Sequence, residues 1–251
     1  MTIRTTPLAL EDLHRLDRHW RECLYWEFDP SRGDTVDDPA MAKEAWITGL
    51  LIEWGSCGRM VWQGDGLQGV ALYAPPAEVP RARLLPTGPV SVDAIVLTSI
   101  GLSEAQAPFS FITPLVDAVV GDLMGRGVRA IEAFGYRDAG DDRIDPADLR
   151  RDTAAAAVGD CTPARCMIPA AWLEELGFSV IAPHHRFPRL RLELGRDLAW
   201  KNEVEAALDR LFDEAAAEGG ISPDLSWRTA RSGAYAGTGS RPRAERRSAR
   251  D

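Results

Sequence analysis

Between Ala94 and Phe134 the chain carries one continuous supersecondary signal, and it constrains the fold more than any other stretch. An apolar run (Ala94–Ile100) leads through a polar turn into LSEAQAPFSFITPLVDAVVGDLMGRGV, and a second apolar run follows (Val128–Phe134). Ile112, Leu115, Val116, Val119, Leu123 and Met124 recur at helical spacing, so the middle piece is an amphipathic helix with one face to bury. Gly125 and Gly127 flank its end, where glycine ends helices at little steric cost. Val128–Phe134 is apolar on both faces, as a buried central or parallel strand must be. The unit is strand, turn, helix, strand.

The flanking sequence extends it on both sides. Thr2–Thr6 reads as a short strand, and Leu8, Leu10, Leu13 and Leu16 predict a first helix between Pro7 and Trp20. Pro30 and Gly33 make Cys23–Asp34 a loop, and Asp38-Pro39 opens a second helix that runs to about Trp54. Gly64-Asp65-Gly66 joins Arg59–Gln63 and Leu67–Ala74 into a hairpin. Pro75–Pro89 is a connection, and Val92–Leu102 is the fourth strand. Tyr136–Arg165, rich in aspartate, alanine and glycine, is expected to be an exposed insertion. Pro169–Leu176 is a short helix, and Ser179–Ala182 and Phe187–Leu194 are the last strands. Trp200, Val204, Leu208, Leu211 and Ala215 mark an added amphipathic helix over 198–218, and 219–251 lacks apolar periodicity and is expected to be disordered. The expected class is α/β (α+β), a mixed twisted sheet flanked by helices, with 1–197 as one domain.

Charge and cysteine content exclude some functions. The net charge is −9, with seven arginines from Arg228 onward against Glu245 and Asp251; the body before them is strongly acidic, which argues against nucleic acid as the main partner. No apolar run approaches the roughly 20 residues of a membrane span, and MTIRTTPLALEDL lacks the regions of a signal peptide. Cys23, Cys57, Cys161 and Cys166 are too few and scattered for a disulfide framework. A cytoplasmic protein with reduced thiols is expected.

The chain order β, α, α, β, β, β, α, β, α, β, β, with AAWLEELGFSVI (Ala170–Ile181) closing it, resembles the GNAT acetyltransferase superfamily over roughly residues 2–194. That resemblance implies a turn after the fourth strand, of pattern Arg/Gln-x-x-Gly-x-Gly/Ala, whose backbone N–H groups grip the pyrophosphate of acetyl-CoA at a helix N-terminus. Here those positions fall on Ala107, Ser110 and Ile112, with Pro108 and Pro114 close by, so the chain resembles a divergent member with a degenerate pyrophosphate loop. The family's Tyr-x-x-x-Gly-Phe ending reads WLEELGF, with Leu173 at the tyrosine position. The resemblance implies transfer of an acetyl group from acetyl-CoA to a small-molecule or protein amine. It implies cofactor contacts from Thr98, Ser99, Ile100, Leu102, Ala107, Ser110, Phe111 and Ile112. The alternative is a non-catalytic protein of this fold that binds a metabolite or a protein partner.

The catalytic candidates are carboxylates. Glu132 sits inside a strand that should be buried, where a charge must be paired or wet, so it is either an acid/base group or the partner of an arginine. Glu27 and Asp29 follow Trp26 in the loop that, by the resemblance, borders the acceptor. Trp26 and Asp29 are substrate candidates and Glu27 a second catalytic one; aromatic residues with carboxylates suit a cationic amine. His184-His185, adjacent in a strand or turn, should point in opposite directions. Cys161-x4-Cys166 has a zinc-like spacing but no second pair, and no metal site is expected.

Overall fold

The computed structural model describes residues 2–29, 36–103, 109–138 and 161–195. The chain divides into two compact units, Met1–Trp200 and Lys201–Asp251, and the described residues belong to the first. The expected helix over 198–218 and the tail over 219–251 lie outside the described residues.

The elements in chain order are β1 (Ile3–Pro7), a 3-10 turn (Leu10–Arg15), α1 (Arg18–Glu22), α2 (Pro39–Glu53), β2 (Gly58–Gln63), β3 (Gly66–Ala74), β4 (Ala94–Leu102), α3 (Ile112–Gly125), β5 (Ala130–Tyr136), α4 (Pro163–Cys166), β6 (Ile168–Pro169), α5 (Ala170–Glu175), β7 (Ser179–Ala182) and β8 (Arg189–Glu193). One mixed sheet runs β1-β2-β3-β4-β5-β8-β7, with β6 added along β5. Every pairing is antiparallel except β4 with β5 and β5 with β6. Helices cover both faces, which is the α/β class expected, and the element order is the expected one with α4 and β6 inserted before α5.

Period-two alternation sorts the strands between two cores. Met60, Val70, Leu72, Val96 and Phe134 face a cluster with Ile47 and Leu50 of α2 and with Tyr25 and Trp26. Val61, Ala71, Tyr73, Leu97, Ile131 and Ala133 face a cluster built on the α3 stripe and on Leu173 of α5. The Asp38 side chain accepts from the Met41 N–H at 3.0 Å with Pro39 at the first helical position, so α2 starts where its sequence says.

Three expectations change. The predicted first helix is two short pieces, because Leu16 and Asp17 are extended (ψ 146° and 152°) and bury Leu16 instead of continuing one face. Strand β5 extends to Tyr136, so the expected insertion starts later. At its far end Thr162, Ala164 and Arg165 are exposed as expected, whereas Cys161 and Pro163 are buried; just beyond it Cys166 packs against Cys23 and Trp26, and β6 joins the sheet. Residues 139–160 lie outside the described residues.

Gly135 is where α5 meets the sheet. A Cβ there would fall 2.9 Å from the Ala170 Cα and 2.8 Å from its Cβ. Gly135→Ala must push the start of α5 off β5, and chemical denaturation should show a loss of about 1–3 kcal/mol; an unchanged midpoint would mean that α5 is not seated there.

Candidate functional site

The parallel pairing of β4 with β5 is short. It covers Ala94 to Val96 opposite Ala130 to Glu132 and then stops. On the same edge, β5 takes β6 opposite Gly135 and Tyr136, while its other edge keeps β8. The two central strands therefore part after Val96, and from Leu97 to Leu102 the β4 edge that faced β5 has no ladder partner among the described residues. Within this stretch the ladder to β3 shifts register: Leu72 pairs with Ser99 and Tyr73 with Leu97, leaving Thr98 as the extra residue of a bulge. Its hydroxyl donates to the Leu72 carbonyl at 3.0 Å. A bulge bends its strand and re-aims the backbone groups beside it.

Thr98 and Ser99 are buried, Ile100 is buried and Leu102 half-buried, so this edge offers backbone more than side chains. Beyond it, residues 104–108, and with them Ala107, lie outside the described residues. Ser110 is exposed, in a 3-10 turn (Phe109–Phe111) that enters α3. Phe111 and Ile112 are buried in the α3 core, so their side chains do not cover the helix start. Among the described residues no side chain caps that start, where the first-turn N–H groups of α3, except at Pro114, point out of the helix end. Sequence reasoning missed Gly101 and Trp20. A Cβ at Gly101 would fall 2.3 Å from the Trp20 ring, so the indole of α1 lies directly on the β4 backbone.

Glu132 is fully buried at the point where the strands part. Its Oε2 accepts from Arg189 Nη1 at 2.6 Å and from the Ser91 N–H at 3.2 Å; its Oε1 accepts from Arg191 Nη1 at 3.0 Å. Arg191 goes on to Asp93 at 2.9 Å. Burial alone would raise the proton affinity of Glu132. The hydrogen bonds from Ser91 and Arg191 and the charge of Arg189 outweigh it and hold the carboxyl below its usual range. Of the two readings open in the sequence, the geometry is that of the arginine-paired one.

The segment after α1 lies against β5. Trp26 is buried, its ring 5.9 Å from that of Phe134, and its Nε1 donates to the Cys166 carbonyl at 3.3 Å. Arg81 donates to the Tyr25 carbonyl and lies 4.3 Å over its ring. Glu27 pairs with Lys43 of α2, both about 4% exposed. Burial is the main cause that raises the Glu27 proton affinity above the ordinary carboxylate, against the pull of Lys43, and among the described residues its second oxygen has no hydrogen-bond partner. Asp29 is half-buried beyond it.

His184 and His185 do not point apart as a strand pair would. They sit in a turn, their ring centroids 4.3 Å from each other, and His184 Nδ1 accepts from the N–H groups of Arg186 and Phe187. The cysteines instead gather with His19. Cys23 Sγ lies 3.5 Å from Cys161 Sγ and 3.7 Å from Cys166 Sγ, and Cys166 Sγ lies 3.8 Å from His19 Nε2.

No family model matches the sequence, and no curated protein matches it. Solved structures resemble the chain distantly. An N-acetyltransferase from Staphylococcus aureus is 11% identical, with 78% of this chain and 100% of that chain covered, at a TM-score of 0.45. A putative acetyltransferase from Salmonella typhimurium, solved with acetyl-CoA, is 12% identical, with 78% and 95% covered, at 0.45. An N-acetyltransferase from Thermoplasma acidophilum, solved with coenzyme A, is 12% identical, with 77% and 99% covered, at 0.41. At such distance the substrate and the chemistry of this chain rest on its own residues.

Proposed function

We propose that this chain is an acyl-CoA-dependent N-acyltransferase that moves an acetyl group to an amine. The observation that carries the reading is the parting of β4 from β5 beside the Thr98 bulge, on a path toward the uncapped start of α3. Backbone groups of Leu97 to Leu102 suit an extended amide-bearing arm, and the first turn of α3 suits a phosphate. These features fit acetyl-CoA, which would bring the acetyl thioester. Thr98, Ser99, Ile100 and Leu102 would hold it through the β4 backbone, and Ser110, Phe111 and Ile112 through the helix start. Backbone N–H groups of the bulged strand would polarise the carbonyl.

The amine would approach from the side of Trp26 and Asp29. Glu27, with one oxygen unpaired among the described residues and raised proton affinity, is the carboxylate suited to take the ammonium proton; Glu132, held by three donors, anchors β8 to β5 and needs no catalytic part. A second reading, a non-catalytic binding protein, is favoured by one observation: β6 runs along the edge of β5 that would otherwise face the parting strands.

Hydrogen–deuterium exchange with and without acetyl-CoA separates the two. The enzyme reading expects protection of the amides of residues 97–102 and 109–113; protection elsewhere, or none, removes it. With an amine acceptor in hand, Glu27→Gln should lower kcat by about a hundredfold or more while acetyl-CoA affinity stays unchanged. A variant with full turnover would take Glu27 out of the reaction.

A further inference from the structure

The geometry points to a structural zinc site of three cysteines and one histidine that ties α1 to the segment ahead of α5, formed by His19, Cys23, Cys161 and Cys166. Two half-motifs supply it. His19 lies on α1 and Cys23, four residues on, is its C-cap, whose N–H closes the turn on the His19 carbonyl at 2.8 Å and so sets the two side chains one helical turn apart. Cys161 and Cys166 bracket the α4 turn, whose Cys166 N–H donates to the Thr162 carbonyl at 2.9 Å. Well over a hundred residues separate the halves in sequence, yet the fold sets their ligand atoms together.

The spacing is that of a coordination shell. Zinc–sulfur bonds of about 2.3 Å put tetrahedral sulfurs about 3.8 Å apart, and a sulfur and an imidazole nitrogen about 3.5 Å apart. The observed edges are 3.5 and 3.7 Å between sulfurs and 3.8 Å from Cys166 Sγ to His19 Nε2. The ligand atoms of His19, Cys23 and Cys166 all lie within 4.8 Å of one another. Cys161 Sγ lies outside that group of three but 3.5 Å from Cys23 Sγ, and a small side-chain shift toward the ion would make it the fourth ligand. All three cysteines are buried, and His19 is half-buried, which gives the ion a way in. Three thiolates with one imidazole make a closed, soft-ligand set suited to structural zinc.

Binding is acid–base chemistry without redox: three thiols release three protons, and Zn²⁺ with three thiolates and a neutral imidazole leaves the site at −1. Around it, the Trp26 indole holds the Cys166 carbonyl and the Tyr25 hydroxyl donates to Met167 Sδ at 3.4 Å, so the ligand segments are braced by the residues that pack against β5. The ion would fasten α1 and α4, elements of five and four residues with little core of their own.

The full-length protein, purified under reducing conditions, should carry one zinc per chain by elemental analysis. Stripping it with a strong chelator should lower the melting temperature, and added zinc should restore it. Cobalt in its place should give the absorption of a tetrahedral thiolate site. His19→Ala, at a half-buried position, should keep the fold and weaken zinc by more than about tenfold. Cys161→Ser should do likewise. Cys57→Ser, outside the group, should keep one zinc. Metal-free protein that takes up no zinc after reduction would overturn the proposal, as would a disulfide between any two of the three cysteines that re-forms in the presence of zinc. Equal zinc retention in the His19 and Cys161 variants would overturn it as well.

Discussion

Glu132→Ala should lower the unfolding free energy by about 3–5 kcal/mol, because it leaves Arg189, two residues from Arg191 on the same face of β8, without the carboxylate that the two share, while Arg191 keeps only Asp93 and Glu193 at the rim. Both arginine side chains are largely buried, at 14% and 13% exposed, so water replaces the lost carboxylate only in part. Glu132→Gln should recover part of the loss, since an amide oxygen can still accept from one arginine. The pH dependence follows from the sign of the shift. The folded-state carboxyl is held below its unfolded value, so its stabilisation is present above the ordinary carboxylate range and is lost as pH falls through the folded value. Glu132→Gln should therefore flatten the acid limb of the stability curve. An acid limb that keeps its full steepness, or a variant as stable as the natural chain at neutral pH, would show that the ion pairs contribute nothing net.

Lys43→Ala should cost a comparable amount, about 3–5 kcal/mol at neutral pH, by leaving the Glu27 carboxylate buried without its cation. Its pH signature is the opposite. Glu27 binds its proton more tightly in the folded state than in the unfolded one, so the folded form is favoured at low pH and loses stability as pH rises from the unfolded carboxylate value through the folded one. Removing Lys43 removes the main pull in the other direction and should make that loss larger. Denaturant titrations of the variant between mildly acid and neutral pH check it: stability should fall with rising pH. A flat profile would mean that Glu27 reaches water once Lys43 is gone.

The strands and the long helices were legible because each buries one periodic face. The α3 stripe from Ile112 to Leu123 and the two-sided apolar run of β5 left few alternatives. The first helix was misread because four leucines at mixed spacing resemble a helical face, whereas the chain turns at Leu16 to bury it. At the site, the cost of a lone carboxylate in a buried strand marked Glu132, and only the register of β5 against β8 could say that Arg191 stands opposite. The Thr98 bulge has no local signature, since an extra residue in a ladder exists only relative to its partner strand. The gathering of His19, Cys23, Cys161 and Cys166 was hidden for the same reason: each half-motif is unremarkable alone, and Cys161 stood in a stretch whose polar composition suggested exposure, with Cys166 just beyond it.

The central claim is that the parted β4 edge and the start of α3 bind an acyl-CoA. Calorimetric titration of the full-length chain with acetyl-CoA tests it most directly. One site per chain is predicted, with a dissociation constant weaker than about 1 µM, because the turn into α3 carries Ser110 and Ile112 where glycines would let a phosphate approach the backbone, and Pro114 lacks an N–H. The absence of saturable heat at millimolar acetyl-CoA would contradict the account.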